Sequence, residues 1–168
     1  MKGFFEPTVL YRKSTGEKFA VSWLQRVFLR LRWRDLVDVR SFFDSSFKFD
    51  LSALDLSEGA IEWDKALACL AWVSKNVKFV PDDRECWQMP GETARLLAGD
   101  CEDGAILLAN MLSSMSLENV KIVCGALSAG VGHCIVEYNG IQLDWLHLAP
   151  IQKVWFRFSK DEVEICKT

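Results

Sequence analysis

The first segment with a clear hydrophobic period runs from about Lys18 to Arg34. Apolar side chains recur there every three or four residues, which is the spacing of one helix face, and arginines fall on another face. This pattern predicts an amphipathic helix with a basic stripe. The apolar face consists of Val21, Leu24, Phe28 and Leu31, and the basic stripe consists of Arg26, Arg30 and Arg34.

Three more helices are predicted in the middle of the chain. The first follows a capping box, Asp55-x-x-Glu58, and ends before Pro81. A second, short helix follows Pro90. The third is opened by Asp100 as its N-cap, and one face of it is apolar throughout. That face consists of Cys101, Ala105, Leu108, Leu112 and Met115.

After Leu117 the hydrophobic period changes from that of a helix to the alternation of a strand. Asn139-Gly140 has the composition of a two-residue hairpin turn, which requires positive φ angles. Because the helices precede a run of antiparallel strands, the predicted fold class is α+β. The predicted strands are residues 120–127, 132–138, 141–146 and 153–158.

The hairpin turn fixes which side chains share a face of the two strands that it joins. If Tyr138 pairs with Ile141, His133 and Asp144 become diagonal neighbours on one face. A carboxylate in that position can accept a hydrogen bond from the imidazole. The other histidine, His147, alternates onto the opposite, apolar face, so His133 is the better candidate for a general base.

The composition indicates one globular domain without targeting signals. Half of the residues are apolar and 12% are aromatic, which excludes a disordered chain, and the net charge is only −3. No apolar run approaches the ~18 residues of a membrane span, and none resembles a signal peptide, so we expect a soluble, cytoplasmic protein. The arginine stripe is best interpreted as a solvated face; an anionic partner such as nucleic acid or a membrane surface is the alternative.

Cys101 is the cysteine best placed to act as a nucleophile. The chain has six cysteines without a CxxC pair, and free thiols are expected in a reducing compartment. The first turn of a helix lowers the pKa of a thiol, and a nearby imidazolium lowers it further. The carboxylates of Asp100, Glu102 and Asp103 oppose ionisation unless they cap the helix or bind a cation. On spacing alone, a structural cysteine near a core histidine fits equally well.

Two motifs lie in this part of the chain. WQMPGET at residues 87–93 precedes Cys101, and GDCEDGA at residues 99–105 contains it. With a His and an Asp following in that order, the sequence over about residues 58–148 resembles the transglutaminase-like superfamily, particularly its bacterial cysteine proteinase branch. The resemblance implies a papain-like core in which the helix that carries the nucleophile packs on an antiparallel sheet. We therefore predict a basic helical extension at residues 1–50 and a hydrolase domain at residues 51–168.

The resemblance also implies roles for individual residues. Cys101 would be the nucleophile, His133 the general base and then acid, and Asp144 the group that orients the imidazole. The backbone N–H of Cys101, with the side chain of Trp87 or Gln88, would bind the oxyanion.

The implied function is that of a cysteine peptidase or amidase that acts on a protein or peptide substrate through a thioester acyl-enzyme. A crosslinking or deamidating transglutaminase is one alternative. The other is a catalytically inactive member of the fold that serves as an interaction or assembly module.

The acidic residues beside the nucleophile have two interpretations within this resemblance. Asp100, Glu102 and Asp103 are hard oxygen ligands, and some members of the bacterial branch place calcium beside the nucleophile. Alternatively, Asp100 caps the helix while Glu102 and Asp103 complement its dipole, which needs no metal. We favour the second interpretation; no cofactor is then required, and calcium stays the alternative.

Overall fold

The computed structural model describes residues 8–13, 15–21, 36–81, 86–128 and 130–166. The α-helices are α1 (Glu62–Asn76), α2 (Pro90–Leu96) and α3 (Cys101–Ser114). The strands are β1 (Thr8–Arg12), β2 (Lys18–Val21), β3 (Leu36–Asp38), β4 (Lys78–Phe79), β5 (Ala98–Gly99), β6 (Val120–Ala126), β7 (Gly132–Tyr138), β8 (Ile141–Leu143), β9 (Lys153–Phe158) and β10 (Val163–Ile165). Two short 3-10 helices cover Val39–Phe42 and Leu51–Ala53. Within the described ranges, no helix is long and apolar enough to cross a membrane.

The main sheet has five antiparallel strands in the order β10-β9-β6-β7-β8. Helix α3 lies against β6 and β7, and α1 packs on α3. Almost every residue of α3 after Cys101 is buried, because sheet and helices surround it. The mixture of helix and sheet agrees with the predicted α+β class.

The hairpin of β7 and β8 has the predicted register. Tyr138 pairs with Ile141, and the two turn residues, Asn139 and Gly140, have φ angles of 49° and 79°. Strand β8 ends at Leu143, earlier than the sequence predicts. The register therefore confirms the predicted turn. Asp144, the acidic residue of the predicted site, lies just beyond the end of β8.

The N-terminal region differs from the prediction of a helix. Lys18–Val21 is the strand β2, paired antiparallel with β1, so the predicted helix is wrong over these residues. Pairing with β1 and burial of Val21 against Leu10 outweigh the local helical period. The rest of the predicted helix, with Arg26, Arg30 and Arg34, lies outside the described residues.

Strand β1 also pairs with β3, so β2-β1-β3 form a three-stranded N-terminal sheet. Tyr11 of this sheet and Phe42 after it are fully buried in the same hydrophobic core as α3. Their rings meet edge to face, with centroids 5.6 Å apart. The described part of the extension thus packs on the main core, and the boundary at residue 50 stays a prediction.

The three helices otherwise begin and end close to the predicted residues. Helix α1 begins at Glu62, six residues later than a helix with Asp55 as its N-cap would begin, so the predicted capping box is wrong. The N-cap is Ile61, and its N–H donates to the Asp64 carboxylate at 3.0 Å. A turn with Gly59 at φ 84° precedes it. Helix α2 begins at Pro90, as predicted. The parallel pair β4-β5 and the edge strand β10 were not predicted.

Candidate active site

Cys101, His133 and Asp144 come together at one end of the main sheet. Cys101 is the first residue of α3, His133 is the second residue of β7, and Asp144 directly follows β8. Cys101 and His133 line one pocket of about 240 Å³, together with Lys18, Glu102 and Trp155. Helix α3 and strand β7 therefore bring Cys101 and His133 to one pocket, and the residue after β8 contacts His133.

The imidazole of His133 is held by Asp144. The distance from Nε2 to the carboxylate Oδ2 is 2.9 Å, and only 3% of His133 is exposed. Burial raises the pKa of Asp144, but hydrogen bonds from His133 and from the N–H groups of Leu146 and Leu148 outweigh it and hold that pKa below its usual value. Because the carboxylate is ionised, Nε2 donates to it, which leaves Nδ1 as the ring nitrogen that can accept a proton.

The thiol of Cys101 is hydrogen-bonded to a carboxylate rather than to the imidazole. Its Sγ donates to Glu102 Oε2 at 2.8 Å, and among the described residues it makes no hydrogen bond with His133. Burial, the charge of Glu102 and this hydrogen bond all raise the pKa of the thiol, while the backbone N–H of Cys134 lowers it. The helix N-terminus leads us to expect a lowered thiol pKa. In this arrangement the pKa is raised instead, so that prediction is wrong. Proton transfer to His133 requires the thiol hydrogen to turn away from Glu102.

Two of the acidic residues around Cys101, Glu102 and Asp103, accept hydrogen bonds from the protein through both carboxylate oxygens. Asp103 is fully buried; its Oδ1 accepts Gln88 N–H at 2.8 Å and its Oδ2 accepts Asp100 N–H at 3.2 Å. Glu102 is 6% exposed, and besides the thiol it accepts the indole N–H of Trp87 at 3.0 Å. Asp100 and Asp103 form a capping box at the start of α3, with Asp100 as the N-cap that the sequence predicts. The interpretation without a metal and the calcium alternative both stay predictions.

The two candidate oxyanion donors differ in what they already bind. The indole N–H of Trp87 donates to Glu102, which takes it away from an oxyanion. Gln88 uses its backbone N–H for Asp103 and its side-chain oxygen for the hydroxyl of Thr93, at 3.2 Å. Among the described residues, no hydrogen bond from its side-chain NH₂ group is found, so Gln88 is the better candidate of the two.

Two cysteines of the pocket wall form a disulfide, which corrects the expectation of free thiols for this pair. Cys124 on β6 and Cys134 on β7 lie directly opposite each other, with Cα atoms 4.3 Å apart, and are bonded. Such closeness is typical of a non-hydrogen-bonded cross-strand pair. The free thiols in the described part of the chain are those of Cys69, Cys86, Cys101 and Cys166.

His147 does not lie on the apolar face where the alternation placed it. Since β8 ends at Leu143, the chain turns, and His147 is exposed with φ 54° while Trp145 is buried in the core. The indole N–H of Trp145 donates to the carbonyl of Cys101 at 3.1 Å. Trp145 thus ties the segment that carries Asp144 to the first turn of α3.

Replacing Gly104 with alanine should disturb this contact. A Cβ at Gly104 would overlap the indole of Trp145, and overpacking of this kind costs about 1–3 kcal/mol. We expect the free energy of unfolding, measured in urea, to fall by that amount. The matched control is Gly91→Ala in α2, where a Cβ has no neighbour within 4 Å and helix propensity favours alanine. Equal stability of the Gly104 variant and the wild type would contradict the close packing described here.

Comparison with known proteins gives matches of structure only. No protein-family model matches the sequence, and no curated protein is significantly similar to it. Solved structures of the bacterial transglutaminase-like cysteine proteinase branch do superpose, which confirms at the level of the fold the resemblance found in the sequence.

The structures in question are of LapG from Legionella pneumophila. One superposes with a TM-score of 0.57 and 16% identity, over 64% of this chain and 71% of that one. The EGTA-treated form gives 0.55 and 20% identity over 66% and 70%, and the calcium-bound form gives 0.51 and 20% over 76% of each chain. At these identities the likeness is one of fold.

Proposed function

We propose that this protein is a cysteine-dependent hydrolase, a peptidase or amidase, in which Cys101 is the nucleophile. The observation that carries the proposal is the buried His133, held by Asp144 at 2.9 Å and lining the same pocket as Cys101. A bound, oriented imidazole beside a thiol at a helix N-terminus is the arrangement that acyl transfer requires. The fold shared with LapG agrees with the fold that the resemblance to cysteine proteinases implies.

The reaction begins with a proton transfer within the pocket. The thiol leaves Glu102 and gives its proton to Nδ1 of His133, while Asp144 stabilises the imidazolium through Nε2. The sulfur attacks the carbonyl carbon of a peptide or carboxamide, and the electron pair of the C=O bond moves to the oxygen. The C–N bond then breaks as His133 returns the proton to the departing amine. The product of this half is a thioester on Cys101.

Water completes the second half of the reaction. Nδ1 of His133 takes a proton from the water, whose oxygen attacks the thioester carbonyl, and the sulfur leaves and recovers the proton. The oxyanion formed in both halves would be bound by the backbone N–H of Cys101 and the side-chain amide of Gln88. The first N–H groups of a helix lack intrahelical acceptors, so that of Cys101 is available for this role.

Labelling with iodoacetamide, followed by intact-protein and peptide mass spectrometry, tests the proposal without a known substrate. At neutral pH we expect Cys101 to be alkylated faster in the wild type than in His133→Ala, because His133 can take the thiol proton away from Glu102. The exposed thiol of Cys86 should react at the same rate in both proteins. A non-catalytic interaction module would instead show the same Cys101 rate with and without His133.

A further inference from the structure

A lysine of the N-terminal sheet reaches the candidate active site. Lys18 lies on β2 and lines the same pocket as Cys101 and Glu102. Its ammonium nitrogen lies 5.0 Å from the centroid of the Trp87 ring, and the indole N–H of that ring donates to Glu102. The lysine, the indole and the carboxylate therefore form one connected group beside the thiol.

The charges around Lys18 are those of the acidic residues at the start of α3. Burial lowers the pKa of Lys18, and the charges of Glu102, Cys101 and Asp100 raise it. The same three residues offer ligand atoms that lie within 4.8 Å of one another, close enough to share one metal ion. The lysine ammonium thus faces the set of groups that a divalent cation would need.

We propose that Lys18 is the resident counter-cation of Asp100 and Glu102, and that it fills the electrostatic role of a divalent cation beside Cys101. Lys18 is then a positioning residue that holds the Glu102 carboxylate in place on the pocket wall. The inference goes beyond the proposed hydrolase, because it holds whether or not Cys101 is a nucleophile.

The residues at this place do not fit calcium, although one of the similar LapG structures is calcium-bound. Calcium prefers six to eight oxygen ligands. Both oxygens of Glu102 accept hydrogen bonds from the protein, and both oxygens of Asp103 accept backbone N–H groups. The Lys18 ammonium, which faces Glu102, would also repel a calcium ion, and in a buried site this repulsion falls off slowly with distance.

Calcium binding, measured by isothermal titration calorimetry and by the shift in melting temperature, tests the inference directly. For the wild type we expect no binding below millimolar Ca²⁺ and no shift. For Lys18→Met, which removes the charge and keeps the length of the side chain, we expect affinity at least about tenfold higher and a melting temperature that rises with Ca²⁺. Lys18→Arg keeps the charge and should behave as the wild type does.

Two further variants show where the ion binds. Lys121→Met removes a lysine that pairs with Glu162 away from the site, and it should gain no calcium affinity. The double variant Lys18→Met with Glu102→Gln should lose the affinity that Lys18→Met gained. Tight calcium binding by the wild type, or a Lys18→Met protein without any gain, would overturn the inference. The wild-type titration alone can do so even if Lys18→Met does not fold.

Discussion

The Asp144→Asn variant is expected to form the acyl-enzyme about a thousandfold more slowly than the wild type. Asp144 accepts a hydrogen bond from Nε2 of His133 and so keeps Nδ1 free for the thiol proton. An asparagine can donate its NH₂ group to Nε2 instead, which leaves the imidazole proton on Nδ1, where the base is needed. The rate is measured as the burst of p-nitrophenolate released from p-nitrophenyl acetate.

Asp161→Asn is the matched control for this substitution. Asp161 is exposed and lies between β9 and β10, and its substitution should leave the burst rate within about twofold of the wild type. Circular dichroism checks that both variants are folded. A loss of less than tenfold in Asp144→Asn would mean that the His133–Asp144 pair is structural rather than catalytic.

The Glu102→Gln variant should make Cys101 more reactive at neutral pH. The charge of Glu102 and its hydrogen bond raise the pKa of the thiol, so their removal lowers that pKa and increases the thiolate fraction at any pH below it. A glutamine oxygen can still accept the indole N–H of Trp87. We expect alkylation by iodoacetamide at neutral pH to accelerate about tenfold, which corresponds to a shift of about one pH unit.

Rates of Cys101 alkylation between about pH 5 and pH 10 measure this shift, since only the thiolate reacts. The control is Glu162→Gln, an exposed carboxylate paired with Lys121, which should leave the profile unchanged. A rate at neutral pH that is unchanged or lower in Glu102→Gln would contradict the contact between thiol and carboxylate.

The central helix and the hairpin could be predicted because their signals are local. The apolar stripe from Cys101 repeats at helical spacing through nearly four turns, and the buried length of α3 follows it. Asn139-Gly140 selects a two-residue turn, and that turn fixes the pairing of Tyr138 with Ile141. The closeness of His133 and Asp144 follows from this register and is confirmed by their hydrogen bond.

The N-terminal sheet and the rest of the pocket depend on contacts between distant parts of the chain. Lys18–Val21 lies at the start of a segment with a helical period, yet it forms a strand because it pairs with β1. No local sequence pattern predicts the pairing of β2 with β1. The Cys124–Cys134 bond depends on the register of β6 against β7. These strands are joined by a longer loop, and the sequence does not fix how they pair. The preference of the Cys101 thiol for Glu102 over His133 depends on a side-chain rotamer, which periodicity does not determine.

The most direct test of the proposed chemistry is to look for an acyl group on Cys101. The protein is mixed with p-nitrophenyl acetate at neutral pH, quenched in acid within the burst, and digested for mass spectrometry. We expect one acetyl group on the Cys101 peptide, removable by hydroxylamine and lost in His133→Ala. An unmodified Cys101, or acetylation that is equally fast without His133, would contradict a cysteine hydrolase at this site.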